Sequence, residues 1–193
     1  FDFIKLGTHE YLWCIADASG KGVSAALLMA NLQASLRAWA SVERNLVKLT
    51  ERLNEIVYSN TNGERFVTLF LGLYNEQTRE LQYVNAGHNP SVLIMDGKVK
   101  FLKEGTTIIG AFDILPLINL GREILTSGSI VFNYTDGLVE SPNEEVYISD
   151  HELVSHLMES CHLEVDILNE NILRRIQTLN NAKMNSDDIT LLT

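Results

Sequence analysis

The sequence predicts an α+β fold with helices packed on antiparallel sheet. Strand-like and helical stretches fall into separate blocks instead of alternating. Four strand-like runs between residues 66 and 102 follow one another at hairpin spacing. Two long helical patterns stand together early in the chain and two more late in it.

Residues 3–6 and 11–16 flank Gly7-Thr8-His9-Glu10 and read as a hairpin, with His9 a solvated turn residue. Residues 23–40 carry two apolar stripes at helical spacing: Val23, Ala26, Leu27, Ala30, Ala34 and Ala38, then Leu28, Leu32, Leu36 and Trp39. A helix apolar on both stripes is expected to be buried on more than one side. Leu46, Leu49, Leu53, Ile56 and Val57 mark an amphipathic second helix that Asn62-Gly63 ends. Strands are predicted over 66–74 and 81–85, joined by a loop over 75–79, and over 91–95 and 98–102, joined by the two-residue turn Asp96-Gly97. Residues 104–128 read as loops and short strands, and 129–134 as a buried strand. Ser149 and Glu152 form a capping-box pattern opening a helix to about residue 159. A last long helix follows over 165–179, then a polar connection and a closing strand over 189–192.

The composition is that of a globular domain, 46% hydrophobic and 21% charged, with no apolar run long enough for a membrane span and no signal peptide. A net charge of −10 argues against nucleic acid as the main partner. Cys14 and Cys161 lie far apart, which suits a reduced, cytoplasmic protein better than a disulfide-stapled one. The chain opens abruptly in strand-like sequence without a Met. It is therefore expected to be a single domain, 1–193, taken from a longer multidomain protein and lacking its first residues.

Asp17 ends an apolar run and precedes the Gly-rich stretch Ala18-Ser19-Gly20-Lys21-Gly22, Asp136 ends another before Gly137, and Asp187 and Asp188 precede the closing strand. Acids at strand ends can converge, and converging carboxylates repel unless a cation neutralises them. All-oxygen ligation suits magnesium or manganese, and two such ions about 3.5–4 Å apart suit phosphate-ester hydrolysis. Asp before Gly is also a common turn pair, so spacing alone leaves both readings open. A nucleotide loop at Gly20-Lys21-Gly22 is not supported, because Gly22 stands where the Walker pattern needs Ser or Thr. His88 reads as a general acid, a ligand or a loop histidine held by backbone. Ser19 and Ser24 have no adjacent base, so a serine hydrolase is not supported. His151, His156 and His162 are spaced poorly for a helical metal pair and read as surface residues.

Four motifs in order carry a family resemblance: Asp17-Ala18-Ser19-Gly20-Lys21-Gly22, Ala86-Gly87-His88-Asn89-Pro90, Tyr134-Thr135-Asp136-Gly137-Leu138-Val139-Glu140 and Asp187-Asp188-Ile189-Thr190. Together the chain resembles the bacterial serine phosphatases of the sporulation stage II E and sigma-regulator type, a branch of the metal-dependent type 2C protein phosphatases. The resemblance implies a β-sandwich flanked by helices. It implies that Asp17 bridges two Mn²⁺ or Mg²⁺ ions, that the Ala18 carbonyl adds a ligand, and that Asp136 and Asp187 complete the second site. Asp188, Gly20, Gly137 and His88 are supporting candidates, and Ser19 stands where the eukaryotic branch has a proposed general-acid histidine. The implied reaction is direct attack of a metal-activated water on phosphoserine or phosphothreonine of an anti-sigma antagonist-like protein. A sensor or response-regulator domain upstream, and a dimer, are further implications. An additional ligand, an Asp upstream of Phe1-Asp2-Phe3, is expected to be missing, with Asp2 as a substitute candidate. This chain is therefore expected to hold at most one ion tightly and to turn over little. The alternative is a catalytically inactive phosphatase-like binding module. Because the helix over 23–40 starts directly after the Gly-rich turn, the helix pair is expected to transmit regulation to Asp17.

Overall fold

The computed structural model describes residues 1–139, 148–179 and 188–193. The chain divides into two compact units, Phe1–Pro90 with Leu102–Leu125, and Ser91–Phe101 with Thr126–Thr193.

In the first unit, β1 (Asp2–Lys5) and β2 (Glu10–Ala18) form the expected antiparallel hairpin. β2 then pairs along its whole length with β3 (Val67–Asn75), which pairs with β4 (Glu80–Ala86). Across the far edge of β4 lie β7 (Gly105–Thr106, parallel) and β8 (Gly121–Ile124, antiparallel), completing a six-stranded sheet. Strand alternation sorts the side chains of this sheet. Leu12, Cys14, Leu69 and Leu71 face the helices α1 (Val23–Ala40) and α2 (Leu46–Thr61) in one core with Leu28, Leu32, Leu49 and Leu53. Trp13, Ile15, Phe70 and Tyr83 are buried on the opposite face, where Phe70 and Tyr83 stack at 5.8 Å between centroids. Asn45 caps α2 by accepting from the N–H groups of Val47 and Lys48, and Asn62 ends it in the left-handed region at φ 52°.

One expectation for α1 is corrected. Leu28, Leu32, Leu36 and Ala40 are buried, but Val23, Ala26, Leu27, Ala30, Ala34 and Ala38 are exposed in this chain. Alanine counts as apolar in a pattern, yet it is also the best helix former on a solvated surface. An alanine stripe therefore does not by itself signal a second buried side.

In the second unit the sheet order is β10-β9-β5-β6, from β10 (Leu191–Leu192), β9 (Ile130–Tyr134), β5 (Ser91–Met95) and β6 (Lys98–Leu102). Asp96 and Gly97 both take positive φ, 50° and 70°, as a two-residue turn between β5 and β6 requires. Phe132, Tyr134, Val92 and Ile94 share a core with Leu153 and Leu157 of α3 (Asp150–Ser160) and with Leu168, Ile172 and Ile176 of α4 (Val165–Leu179). The capping box is formed: Ser149 Oγ accepts from the Glu152 N–H, and the Ser149 N–H donates to Glu152 Oε2 at 2.9 Å. Among the described residues no helix is long and apolar enough to cross a membrane. Both cysteines are free, and burial pushes the Cys14 thiol up to about 11.

Candidate active site

Asp17 lies inside β2, one residue from its end, and is exposed, whereas Leu12 to Ile15 before it are buried. An ionised side chain at the open end of a buried strand keeps its charge in solvent while its backbone is fixed by the sheet. Asp17 and Ala18 are paired with Thr68 and Val67, so neither can shift without breaking the ladder.

The turn after them is fastened by one residue. Ser19 uses all three of its polar groups. Its N–H donates to the Phe66 carbonyl at 2.9 Å, its Oγ accepts from the Phe66 N–H at 2.9 Å, and its carbonyl accepts from Arg65 Nη1 at 3.1 Å. Ser19 is therefore a fastener between the turn and the start of β3. Gly20 follows at φ 94°, and a Cβ there would collide with Arg65 Nη1.

His88 is buried in the Ala86–Pro90 segment. Its Nδ1 lies 2.9 Å from the Thr68 hydroxyl. Asn85 holds the loop by accepting from the His88 N–H at 2.8 Å and donating to its carbonyl at 3.0 Å. The holding groups are thus side chains, Asn85 on the backbone of His88 and Thr68 on its ring, where the sequence leaves a loop histidine held by backbone as one alternative.

In the second unit, Asp136 opens a short 3₁₀ turn (Asp136–Leu138) and accepts from the Gly137 N–H at 2.8 Å. Thr135 draws the other acidic motif alongside: its Oγ1 donates to the Asp188 carbonyl at 3.1 Å and accepts from the Thr190 N–H at 2.9 Å. The motifs around Asp136 and Asp188 are therefore neighbours, as the sequence suggested for acids at strand ends. Asp187 and Glu140, and the connection over 180–186, lie outside the described residues.

Asp2 is placed differently from the substitute-ligand expectation. Both of its oxygens are taken by Arg37 at 2.6 Å, and Oδ1 also accepts from the Phe3 N–H. His9 is a solvated turn residue facing Glu76, and His151 and His162 are exposed as expected, whereas His156 is half-buried. Among the described residues no group of three or more His, Cys, Asp or Glu side chains is gathered as a metal site. The candidate donors Asp17, the Ala18 carbonyl and Asp136 are all oxygens, which fits magnesium or manganese and not zinc.

Thr68, Asn85 and Arg65 were not singled out from sequence. Thr68 did carry a signal, since it is the one polar residue in Val67-Thr68-Leu69-Phe70-Leu71. Arg65 carried none, because its partner Ser19 is distant in sequence, and Asn85, three residues before His88, stood in no recognised motif.

This arrangement of strands and helices is the fold of the type 2C protein phosphatases. The chain superposes at a TM-score of 0.79 on the PP2C phosphatase domain of SpoIIE from Bacillus subtilis, with 18% identity over 98% of this chain and 56% of that one. It superposes at 0.83 on the RsbU and RsbW domains of Rv1364c from Mycobacterium tuberculosis, with 26% identity over 99% of this chain and 52% of that one. A TM-score of 0.67, at 14% identity over 98% of this chain and 88% of the other, relates it to the catalytic domain of the serine/threonine phosphatase PstP in complex with two manganese ions. Residues 7–193 match the Stage II sporulation protein E (SpoIIE) family, and the chain belongs to it. Phosphoserine phosphatase RsbU of Bacillus subtilis (strain 168) is 23% identical over 180 residues, covering 92% of this chain and 53% of the relative. Phosphoserine phosphatase RsbP of the same strain is 24% identical over 193 residues, covering 97% and 46%. The chain thus spans about half the length of these curated relatives.

Proposed function

We propose that this chain is a manganese- or magnesium-dependent protein phosphatase acting on phosphoserine or phosphothreonine of a regulatory protein of the anti-sigma antagonist type. The observation that carries the reading is the setting of Asp17: an exposed carboxylate at the end of a buried strand, with its turn fastened by Ser19, in a chain of the SpoIIE family. Asp17, the Ala18 carbonyl, Asp136 and Asp187 form the proposed ligand set for two ions. When bound, such ions supply a water of lowered pKa and a charge clamp on the phosphoryl oxygens. The protein's own part is to hold the ligands rigidly. The β2–β3 ladder and the Ser19 fastener do this for Asp17, and the Gly137 N–H and Thr135 do it for Asp136. The part Ser19 plays in this reading is to fasten the turn, its Oγ accepting from the Phe66 N–H.

The names of RsbU and RsbP as phosphoserine phosphatases support the substrate chemistry, and an RsbU domain beside an RsbW domain in Rv1364c supports a sigma-regulatory setting. A cytoplasmic location, an upstream sensory or response-regulator domain and a dimer belong to the same proposal. The test is a calorimetric manganese titration of wild type and Asp17→Asn. It is paired with phosphate release from a phosphoserine peptide, measured on this chain and on the protein as its host makes it. Asp17→Asn is expected to lose manganese binding, and turnover wherever wild type shows it, with circular dichroism unchanged. Unchanged manganese affinity in that variant would overturn the assignment. Metal binding without turnover in either wild-type form would favour the inactive binding module instead.

A further inference from the structure

The sheet face that carries Asp17 also carries a second polar chain. Asp17 and Thr68 are direct cross-strand partners, which puts their Cβ atoms about 4.5–5.5 Å apart on one face. The Thr68 hydroxyl lies 2.9 Å from His88 Nδ1. His88 is 6% exposed and its backbone is clamped by Asn85, itself 5% exposed. Polar side chains are costly to bury, and here one of them, His88, reaches the hydroxyl beside the carboxylate while the other, Asn85, clamps the backbone of His88.

We propose that Thr68 and His88 are positioning residues for Asp17: His88 donates its Nδ1–H to Thr68 Oγ1, and Thr68 donates its hydroxyl proton to the Asp17 carboxylate. This inference rests on the reading of Asp17 as a metal ligand. Its direction follows from counting protons. An ionised carboxylate only accepts, and a threonine hydroxyl has one proton to give. If that proton goes to Asp17, the Thr68 oxygen must accept from the imidazole, which fixes the proton on Nδ1 and makes Nε2 the acceptor nitrogen. The carboxylate torsion of an aspartate is broad when nothing holds it. A donor on one oxygen narrows it and presents the remaining lone pairs to a cation. Outer hydrogen bonds of this kind change metal affinity or activity by roughly 10–100-fold.

The test is manganese affinity, measured by calorimetry on Thr68→Val, Thr68→Ser, His88→Leu and Asp17→Asn beside wild type, with thermal melting of each. Thr68→Val keeps the shape and the strand preference but removes the hydroxyl. It is expected to weaken manganese binding about 10-fold or more, with the melting temperature lowered only as far as the loss of the single hydrogen bond to buried His88 accounts for. Thr68→Ser restores the hydroxyl and is expected to recover most of that loss. His88→Leu is expected to weaken binding in the same direction as Thr68→Val. If Thr68→Val binds manganese as wild type does, or Thr68→Ser binds as weakly as Thr68→Val, the positioning role is wrong and the residues serve packing alone. Asp17→Asn separates the two readings. Should it bind manganese normally, the ligand assignment fails and this inference falls with it. Should it lose binding while Thr68→Val does not, this inference alone fails.

Discussion

Arg37 holds Asp2 with two parallel hydrogen bonds, Nε to Oδ2 and Nη2 to Oδ1, both at 2.6 Å. The pair joins the last turn of α1 to the first strand of the sheet, and the carboxylate is 5% exposed. Burial pushes the Asp2 carboxyl up, but the Arg37 and Phe3 hydrogen bonds and the Arg37 charge outweigh it and hold it below its ordinary value of 3.8. An acid so occupied serves as an anchor, not as a reserve ligand.

The first prediction follows from that sign. A carboxylate whose folded pKa is depressed stabilises the fold above its unfolded pKa, and the gain disappears as the pH falls through the folded value. Asp2→Asn should therefore cost on the order of 2 kcal/mol at neutral pH. The gap to wild type should narrow as the pH drops through 3.8 and below. Urea unfolding at several pH values measures it. A gap independent of pH would mean that the charge of Asp2 is not what matters. Arg37→Lys should recover only part of the effect of Arg37, since an ammonium cannot make the paired contact.

Such pairs mark the limit of what could be read from the chain. Hairpins and caps were legible because their signals are local: Asp96-Gly97, Asn62-Gly63, and Ser149 with Glu152. The closing strand was legible as well, though only Leu191 and Leu192 pair. Residues 104–128 were not resolvable into elements, because β7 is two residues long and finds its partner through Asn85 and Ala86, far from it in sequence. The site divided the same way. Asp17 and Asp136 were visible through their turns. What steadies them was not, since Ser19 binds residues 65 and 66 and Thr135 binds residues 188 and 190. No periodicity records a hydrogen bond across forty residues.

Asp136→Asn provides a second prediction. An asparagine oxygen can still accept from the Gly137 N–H, so the 3₁₀ turn should survive while the charge is lost. Manganese-dependent turnover, in the form of the protein that shows it, should fall by at least about 100-fold, the loss expected when a charged ligand leaves a catalytic ion. Retained activity with a normal circular dichroism spectrum would exclude Asp136 from the ligand set.

The third prediction concerns the turn itself. Gly20→Ala meets both a φ of 94° and the Arg65 guanidinium. A non-glycine residue held there costs about 1–3 kcal/mol. If the turn gives way instead, Ser19 must leave Phe66 and Arg65, and manganese affinity should fall with stability. A variant as stable as wild type with full manganese affinity would show that the turn has room to rearrange.

The two cysteines should differ sharply toward alkylating reagents. Cys14 is buried with its thiol raised to about 11, so almost no thiolate exists at neutral pH. Cys161 is partly exposed at the end of α3. Mass spectrometry after brief iodoacetamide treatment of the native protein should find the label on Cys161, and on Cys14 only after unfolding. Prompt labelling of Cys14 would mean that the β2–α1 core opens readily.

The helix pair offers a test of regulation. Thr61, at the end of α2, donates its hydroxyl to the Val57 carbonyl at 2.9 Å and lies 3.2 Å from the Arg65 carbonyl; Arg65 in turn holds Ser19. A displacement of α2 therefore has a short covalent and hydrogen-bonded route to the turn that follows Asp17. Leu53 sits fully buried in the middle of α2, and Leu53→Ala removes packing worth about 2–5 kcal/mol. If the helices set the position of the turn, this variant should need more manganese for half-saturation, beyond what its lower melting temperature explains. The comparison is with a core truncation of similar cost in the other unit, Leu157→Ala, which should lower the melting temperature without the same rise in manganese requirement. Equal manganese dependence in the two variants would remove α2 as a route to the site.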